Sequence, residues 1–201
     1  MSNVINCQTL YYQLKINSFQ PIIKREGEDL FINPTVKKWH EFFFQSYEST
    51  KPLALLLPCT SVKPYSRSAT HRLVYSILKR KNLDNHVQVY SVSEPMLLVP
   101  REVEECYPFS SYEYSPKVMT VQEKDEFVEL LRKPLAKIAK QHKVIVGVLP
   151  THHYSIVDRA SRKEGLKLYL MRYGKLAFRS ISESIENLET KGKEINAINN
   201  T

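Results

Sequence analysis

Leu53-Ala54-Leu55-Leu56-Leu57-Pro58-Cys59-Thr60-Ser61-Val62-Lys63-Pro64-Tyr65-Ser66-Arg67-Ser68-Ala69-Thr70-His71 is the stretch on which the reading of this chain turns. Its first five residues are apolar without alternation, the pattern of a strand buried on both faces in a parallel sheet covered by helices. Pro58 closes the run. From Arg67 to Lys79, Leu73, Val74, Ile77 and Leu78 return at helical intervals, while Arg72, Lys79, Arg80 and Lys81 supply a polar side and a basic end. The unit is strand, polar loop, helix, with the loop at the carboxyl end of the strand.

The same pattern recurs downstream. Val87 to Val92 alternates and carries β-branched residues, so it predicts a second strand, and Met96 to Val99 a short extended piece before Pro100. Val144 to Leu149 is a third apolar strand, again closed by a proline, Pro150. Helices are predicted over Thr35–Tyr47 behind Pro34, over Thr120–Gln141, and from Thr151–Tyr154 toward Arg162 with a stop near Gly165. Thr120 and Glu123 have capping-box spacing, and Pro134 is expected to kink or divide that helix. Leu166 to about Glu189 reads as one or two further helices, the first thirty residues as short strands or an irregular cover, and Cys106 to Pro116 as a loop over the sheet. Strands alternating with helices imply an α/β fold, a three-layer α/β/α sandwich with a mostly parallel central sheet. Residues 1–190 form one such unit in this reading, and residues 191–201 a polar, disordered tail.

Composition narrows the classes. The 201 residues are 42% hydrophobic and 25% charged, which is globular, and with only five glycines no segment offers a phosphate-cradling loop or any other NAD or ATP fingerprint. No cofactor is expected. Lys and Arg exceed Asp and Glu by 29 to 21, a net charge of +8 that steers polyanions such as RNA toward the protein. The three cysteines, Cys7, Cys59 and Cys106, are sparse and odd in number, so they read as reduced thiols in a cytoplasmic interior, neither a disulfide scaffold nor a zinc finger. No apolar run is long enough to cross a bilayer, and the N-terminus lacks the layout of an export signal.

Chemistry concentrates in the loop after the first core strand, because open α/β sheets collect ligands at strand carboxyl ends. Cys59 is a candidate nucleophile, with a small buried hydrophobe as its bland alternative. His71 is the first choice for proton transfer, or a packed structural histidine; Lys63 is a cation for a thiolate or phosphate, or simply solvated. Tyr65 and Ser68 are candidates for positioning a substrate, although Ser68 suits an N-cap equally well. Two other strand-end loops are possible walls of the same pocket: Glu94 after the second strand, and the pair His152-His153 after the third. Two adjacent histidines without a further strong ligand predict no metal site. Arg101 and Glu102 belong to a polar cluster that binds substrate or pairs its own charges.

Pro58-Cys59, three residues, Lys63-Pro64-Tyr65, two residues, Ser68, two residues and His71 together resemble the signature of the archaeosine synthase alpha subunit family. Ser93-Glu94-Pro95, Val99-Pro100-Arg101-Glu102 and Tyr107-Pro108 look like the same family's middle domain, so the resemblance runs from about Pro34 to Arg159. It implies an enzyme that adds free lysine to the nitrile of a preQ0 base in the D-loop of archaeal transfer RNA, leaving an amidine for a radical SAM partner to carry on toward archaeosine. Full-length relatives also carry a transglycosylase-like region and a PUA RNA-binding domain, which this chain is too short to hold, so a companion subunit with those parts is implied. Cys59 would attack the nitrile to give a thioimidate, His71 would move the proton, Lys63 would favour the thiolate or orient RNA, and Glu94 would bind the incoming amine. The competing reading is a non-catalytic RNA-binding or assembly subunit of a split archaeosine synthase.

Overall fold

The apolar run Leu53–Pro58 is the middle strand of a five-stranded sheet. The computed structural model describes residues 5–25, 27–114, 119–175 and 177–198. In chain order the elements are α1 (Cys7–Leu14), β1 (Ile22–Ile23), α2 (Pro34–Gln45), β2 (Leu53–Pro58), α3 (Ala69–Arg80), β3 (Val87–Ser93), β4 (Leu97–Pro100), β5 (Tyr112–Glu113), α4 (Val121–Gln141), β6 (Val144–Pro150), α5 (Thr151–Lys163), β7 (Tyr169–Tyr173) and α6 (Ala177–Glu194). The main sheet has the order β4-β3-β2-β6-β7. β3, β2, β6 and β7 run parallel, and β4 folds back antiparallel on β3. β1 and β5 form a separate parallel pair.

The two-sided burial inferred for β2 has a direct structural cause. Leu53, Leu55 and Leu57 point into one apolar layer with Val74, Ile77 and Leu78 of α3 and Ile181, Ile185 and Leu188 of α6. Ala54 and Leu56 point into the other, with Trp39 and Phe43 of α2, Phe127 and Leu131 of α4, and Ile156 and Val157 of α5. The fold is a three-layer α/β/α sandwich. Each buried leucine, isoleucine, valine or phenylalanine among these contributes roughly 1.5–3 kcal/mol of transfer free energy, which is why no polar residue interrupts the run.

Helix starts follow their caps. Asn33 accepts hydrogen bonds from the amides of Thr35 and Val36 with Pro34 next, and Thr120 and Glu123 close a reciprocal capping box. Pro134 does not divide α4, which runs unbroken over 21 residues with the proline buried inside it; packing of that face against the core outweighs the lost donor. Of the one or two helices predicted over Leu166 to about Glu189, α6 forms from Ala177, whereas Tyr169–Tyr173 is instead the edge strand β7, only half-buried and so without a continuous apolar run. It lies against β6 at Gly147, where an added Cβ would stand 2.7 Å from Leu170 Cδ2. The segment expected as a tail from residue 191 starts inside α6, and Gly192 and Ile198 are buried beside Leu53. Pro116 and residues 199–201 lie outside the described residues.

The N-terminal cover is more ordered than its composition suggested, since α1 is held to the loop after β4 by a Cys7–Cys106 disulfide. This corrects the reading of all three cysteines as free thiols. Ninety-nine residues separate the two, so nothing in local spacing could reveal the pair. Disulfides belong to oxidising compartments or to the proteins of hyperthermophiles, and the cysteine count therefore no longer argues for a reducing interior. Among the described residues no helix is long and apolar enough to cross a membrane.

Candidate active site

Because β3, β2 and β6 are neighbours and parallel, the residues that follow them emerge side by side at one end of the sheet. Cys59 is the first residue beyond β2, Glu94 the first beyond β3, and His152 and His153 stand in the first turn of α5, which starts directly after β6. The backbone amide of Cys59 donates to the Val92 carbonyl at 2.8 Å, fastening the loop to the adjacent strand. The half-buried Cys59 thiol lies 3.5 Å from Glu94 Oε2 and 3.8 Å from His153 Nε2. Glu94 is held from two sides: Oε2 by His153 Nε2 at 3.1 Å, and Oε1 by His152 Nε2 at 2.6 Å.

Glu94 is 1% exposed and His153 3%, so their charge states depend on each other. Burial would raise the Glu94 pKa, but the His153 charge and hydrogen bonds from both histidines outweigh it and hold the carboxyl well below its usual range. Burial would likewise lower His153; the Glu94 carboxylate and the hydrogen bonds at Nε2 reverse this and raise it to about 10. At neutral pH the pair is carboxylate and imidazolium. The amino terminus of α5 has no side-chain cap at Pro150, and its positive end also favours the carboxylate. His153 Nδ1 is buried without a hydrogen-bond partner.

The turn carrying Glu94 is braced by α2. Trp39 Nε1 donates to the Met96 carbonyl at 2.9 Å, and His40 Nε2 to that of Pro95 at 2.8 Å. Burial lowers His40 to about pKa 4, so the ring is neutral. Trp39 and Phe43 of α2 are buried packing residues, and Trp39 and His40 also brace the turn that carries the carboxylate, a role that helical periodicity does not reveal. The peptide bonds Lys63-Pro64, Glu94-Pro95 and Tyr107-Pro108 are cis.

Lys63 reaches the same region. Its ammonium donates to the Thr60 carbonyl at 3.1 Å and sits 4.0 Å above the Tyr112 ring. Burial lowers its pKa against the attraction of Cys59, Glu113 and Glu94. Below it, the Tyr65, Tyr112 and Ser93 hydroxyls form a closed cluster: Tyr65 donates to Ser93 at 3.3 Å, Ser93 and Tyr112 are 2.5 Å apart, and the two phenols are hydrogen-bonded. Burial first, and the charge of Cys59 among the other causes, pushes both phenols well above their usual pKa. Tyr173 at the end of β7 is raised by burial and by Cys59 as well. Tyr112 and Tyr173 went unnoticed in the sequence because their segments read as a loop and a helix.

Several expected site residues stand elsewhere. His71 is fully buried, with Nδ1 on Ser68 Oγ and Nε2 on Ser91 Oγ, each at 3.0 Å, and no described contact joins it to Cys59. Burial lowers it to about pKa 4. Its ring is held between Ser68 and Ser91, and the imidazole beside the sulfur is that of His153. Ser68 is the N-cap of α3 and Tyr65 is wholly enclosed, and both shape the loop. Arg101 and Glu102 follow β4 and thus lie toward the opposite end of the sheet, because β4 runs backward. Arg101 pairs with Asp84 at 2.8 Å, and Glu102 accepts from Tyr47 at 2.8 Å and Gln88 at 2.7 Å. A cavity of about 890 Å³ lined by Tyr47, Lys51, Gln88 and Glu102 is at that remote end too. Of the adjacent pair His152-His153, His153 joins Cys59 and Glu94, the three donor atoms all lying within 4.8 Å of one another, and His152 reaches the group through Glu94 Oε1.

Comparison with known proteins adds to this geometry. The model of a domain of unknown function, DUF5591, matches residues 36–191. The chain is 30% identical to the archaeosine synthase subunit alpha of Thermoplasma acidophilum over 166 residues, 76% of this chain and 32% of the relative. It is 28% identical to the Thermococcus kodakarensis subunit alpha over 79% of this chain and 29% of that one, and 29% identical to the archaeosine synthase of Methanocaldococcus jannaschii over 62% and 21%. The chain thus spans a third or less of these relatives. The crystal structure of AF0587, a protein of unknown function, shares the fold with a TM-score of 0.56 at 24% identity, over 77% of this chain and 51% of that one.

Proposed function

Since the chain belongs to the DUF5591 family and is a relative of archaeosine synthase alpha subunits, we propose that it is a component of archaeosine biosynthesis that adds lysine to the nitrile of preQ0 in transfer RNA. The observation that carries this reading is the convergence of a half-buried thiol, a buried carboxylate and a buried imidazolium at the ends of three adjacent parallel strands. Uptake of an amine by a nitrile needs a nucleophile and a proton for the nitrile nitrogen, and both are present there.

In this mechanism the Cys59 thiol gives its proton toward Glu94 Oε2, the acceptor 3.5 Å away, and the sulfur bonds to the nitrile carbon. The nitrogen takes a proton from the His153 imidazolium, and a thioimidate results. The lysine ε-amine then adds to the same carbon, its surplus proton passes to neutral His153 and restores the imidazolium, and the carbon–sulfur bond breaks as Glu94 returns its proton to the departing sulfur, releasing the amidine. No atom is lost. His152, partly exposed at the rim, orients Glu94, while Lys63 and the basic surface attract the RNA backbone. A companion subunit with transglycosylase-like and PUA regions positions the transfer RNA, and a radical SAM partner takes the adduct onward.

The test is reconstitution with preQ0-containing transfer RNA, lysine and the companion subunits, followed by mass analysis of nucleosides. A lysine-sized increment that depends on this chain and falls at least roughly 100-fold in Cys59→Ala supports the assignment. Turnover at the wild-type rate in Cys59→Ala would end the covalent mechanism, and no increment in a complete system would favour an RNA-binding or assembly subunit.

A further inference from the structure

The three groups at the strand ends do not have the layout of a proton relay. A nucleophile–imidazole–carboxylate relay uses one ring nitrogen for the nucleophile and the other for the carboxylate. Here a single nitrogen, His153 Nε2, faces both Cys59 Sγ at 3.8 Å and Glu94 Oε2 at 3.1 Å, and that oxygen is 3.5 Å from the sulfur. His153 Nδ1, the atom a relay would use, has no partner. Instead the thiol and His153 Nε2 both converge on the single oxygen Glu94 Oε2, and one ion inside the triangle would meet all three donor atoms.

The size of the triangle fits such an ion. Tetrahedral Zn²⁺, at ~2.3 Å from sulfur and ~2.0–2.1 Å from nitrogen and oxygen, holds its donor atoms roughly 3.3–3.6 Å apart. The edges found are 3.1, 3.5 and 3.8 Å. A sulfur, imidazole and carboxylate set is borderline in softness, which suits Zn²⁺ or Co²⁺ and not the oxygen-seeking Mg²⁺ and Ca²⁺. The donors are also presented rigidly: Cys59 and Glu94 directly follow core strands, His153 stands in the first turn of α5, two of the three are buried, and the second carboxylate oxygen is oriented by His152 at 2.6 Å.

We propose that Cys59, Glu94 and His153 bind one divalent cation of the Zn²⁺ class through three protein ligands, the Cys59 thiol and the His153 imidazolium each releasing one proton to solvent as the ion enters, and leave a fourth coordination position on the half-exposed Cys59 side. The bound ion engages the electron pair with which sulfur would attack a nitrile, so the loaded state masks Cys59. Binding does not depend on the lysine-addition reading; only the consequence of masking for turnover rests on it.

The experiment uses the tag-free full chain, stripped with a chelator and freed of it, without RNA. Zn²⁺ is titrated against a chromophoric competitor, and Co²⁺ is followed by absorption. One ion per chain is expected, with a sulfur-to-cobalt charge-transfer band, visible absorption of four-coordinate intensity, and slower alkylation of Cys59 by iodoacetamide in the loaded protein. Cys59→Ser and His153→Gln should each weaken Zn²⁺ binding roughly tenfold or more, and Cys59→Ser should abolish the band. The wild-type cobalt spectrum decides the matter even if a variant fails to fold. Absence of binding, a cobalt complex without the sulfur band, or Zn²⁺ affinity unchanged in folded Cys59→Ser overturns the proposal. Because no RNA is present, the result stands apart from that of the lysine-addition assay.

Discussion

Replacing Glu94 by Gln removes the charge that keeps His153 protonated while nearly preserving shape. In the wild type the carboxylate raises His153 from 6.5 to about 10 against the cost of burial. That net shift, to which Cys59 also contributes, corresponds to roughly 5 kcal/mol, and removing one partner of a buried pair costs about 3–5 kcal/mol in general. An amide retains some hydrogen bonding, so Glu94→Gln should lose about 3 kcal/mol near pH 6. The sign of the pH dependence follows from the two shifts. The folded pKa of His153 is raised, so its contribution is complete below about 6.5 and declines as pH rises toward 10, by up to about 1.4 kcal/mol per pH unit. The folded pKa of Glu94 is depressed, so its contribution is complete above about 4.5 and is lost as pH falls below that. The difference in stability between wild type and Glu94→Gln should therefore be widest between about pH 4.5 and 6.5 and narrow steadily toward pH 9. Urea denaturation of both proteins across that range, in chelator, measures it, and histidine NMR should report a charged His153 at pH 8 in the wild type and a neutral one in the variant. A difference below about 1 kcal/mol at pH 6, or one constant from pH 6 to 9, would refute the ion-pair assignment.

His71→Ala should cost about 2–4 kcal/mol, since it empties a buried site and strands the hydroxyls of Ser68 and Ser91. It should leave the iodoacetamide reactivity of Cys59 within about twofold, a comparison made on the folded variant; a large change in reactivity would return His71 to the site. Reduction of the Cys7–Cys106 disulfide, which closes a separation of 99 residues, should lower stability by about 2–5 kcal/mol. Denaturation with and without dithiothreitol tests this, and coincident curves would show that the bridge contributes nothing.

The apolar run Leu53–Leu57 was enough to establish the layering of the fold, because a strand with no polar face must be covered on both sides. Helix boundaries at Pro34 and Thr120 were equally legible, since caps act within a turn of their own residue. β7 was not legible. An edge strand with one wet face and a partner supplied by Gly147 has the mixed composition of a helix, and only pairing across the sheet identifies it. The same limit applied to the candidate site. Sequence alone indicated that reactive side chains follow each core strand, and Cys59, Glu94 and His153 were all among them. Their separations of 35, 59 and 94 residues close only through the order β3-β2-β6, which no local pattern specifies. His71 was favoured because it is near Cys59 in the chain, yet α3 carries it to one face of the sheet while the sulfur meets groups delivered by two other strands. Periodicity and capping are short-range and were readable in the chain; which strand ends become neighbours, and therefore which imidazole meets the thiol, was decided by packing the two apolar faces of the sheet.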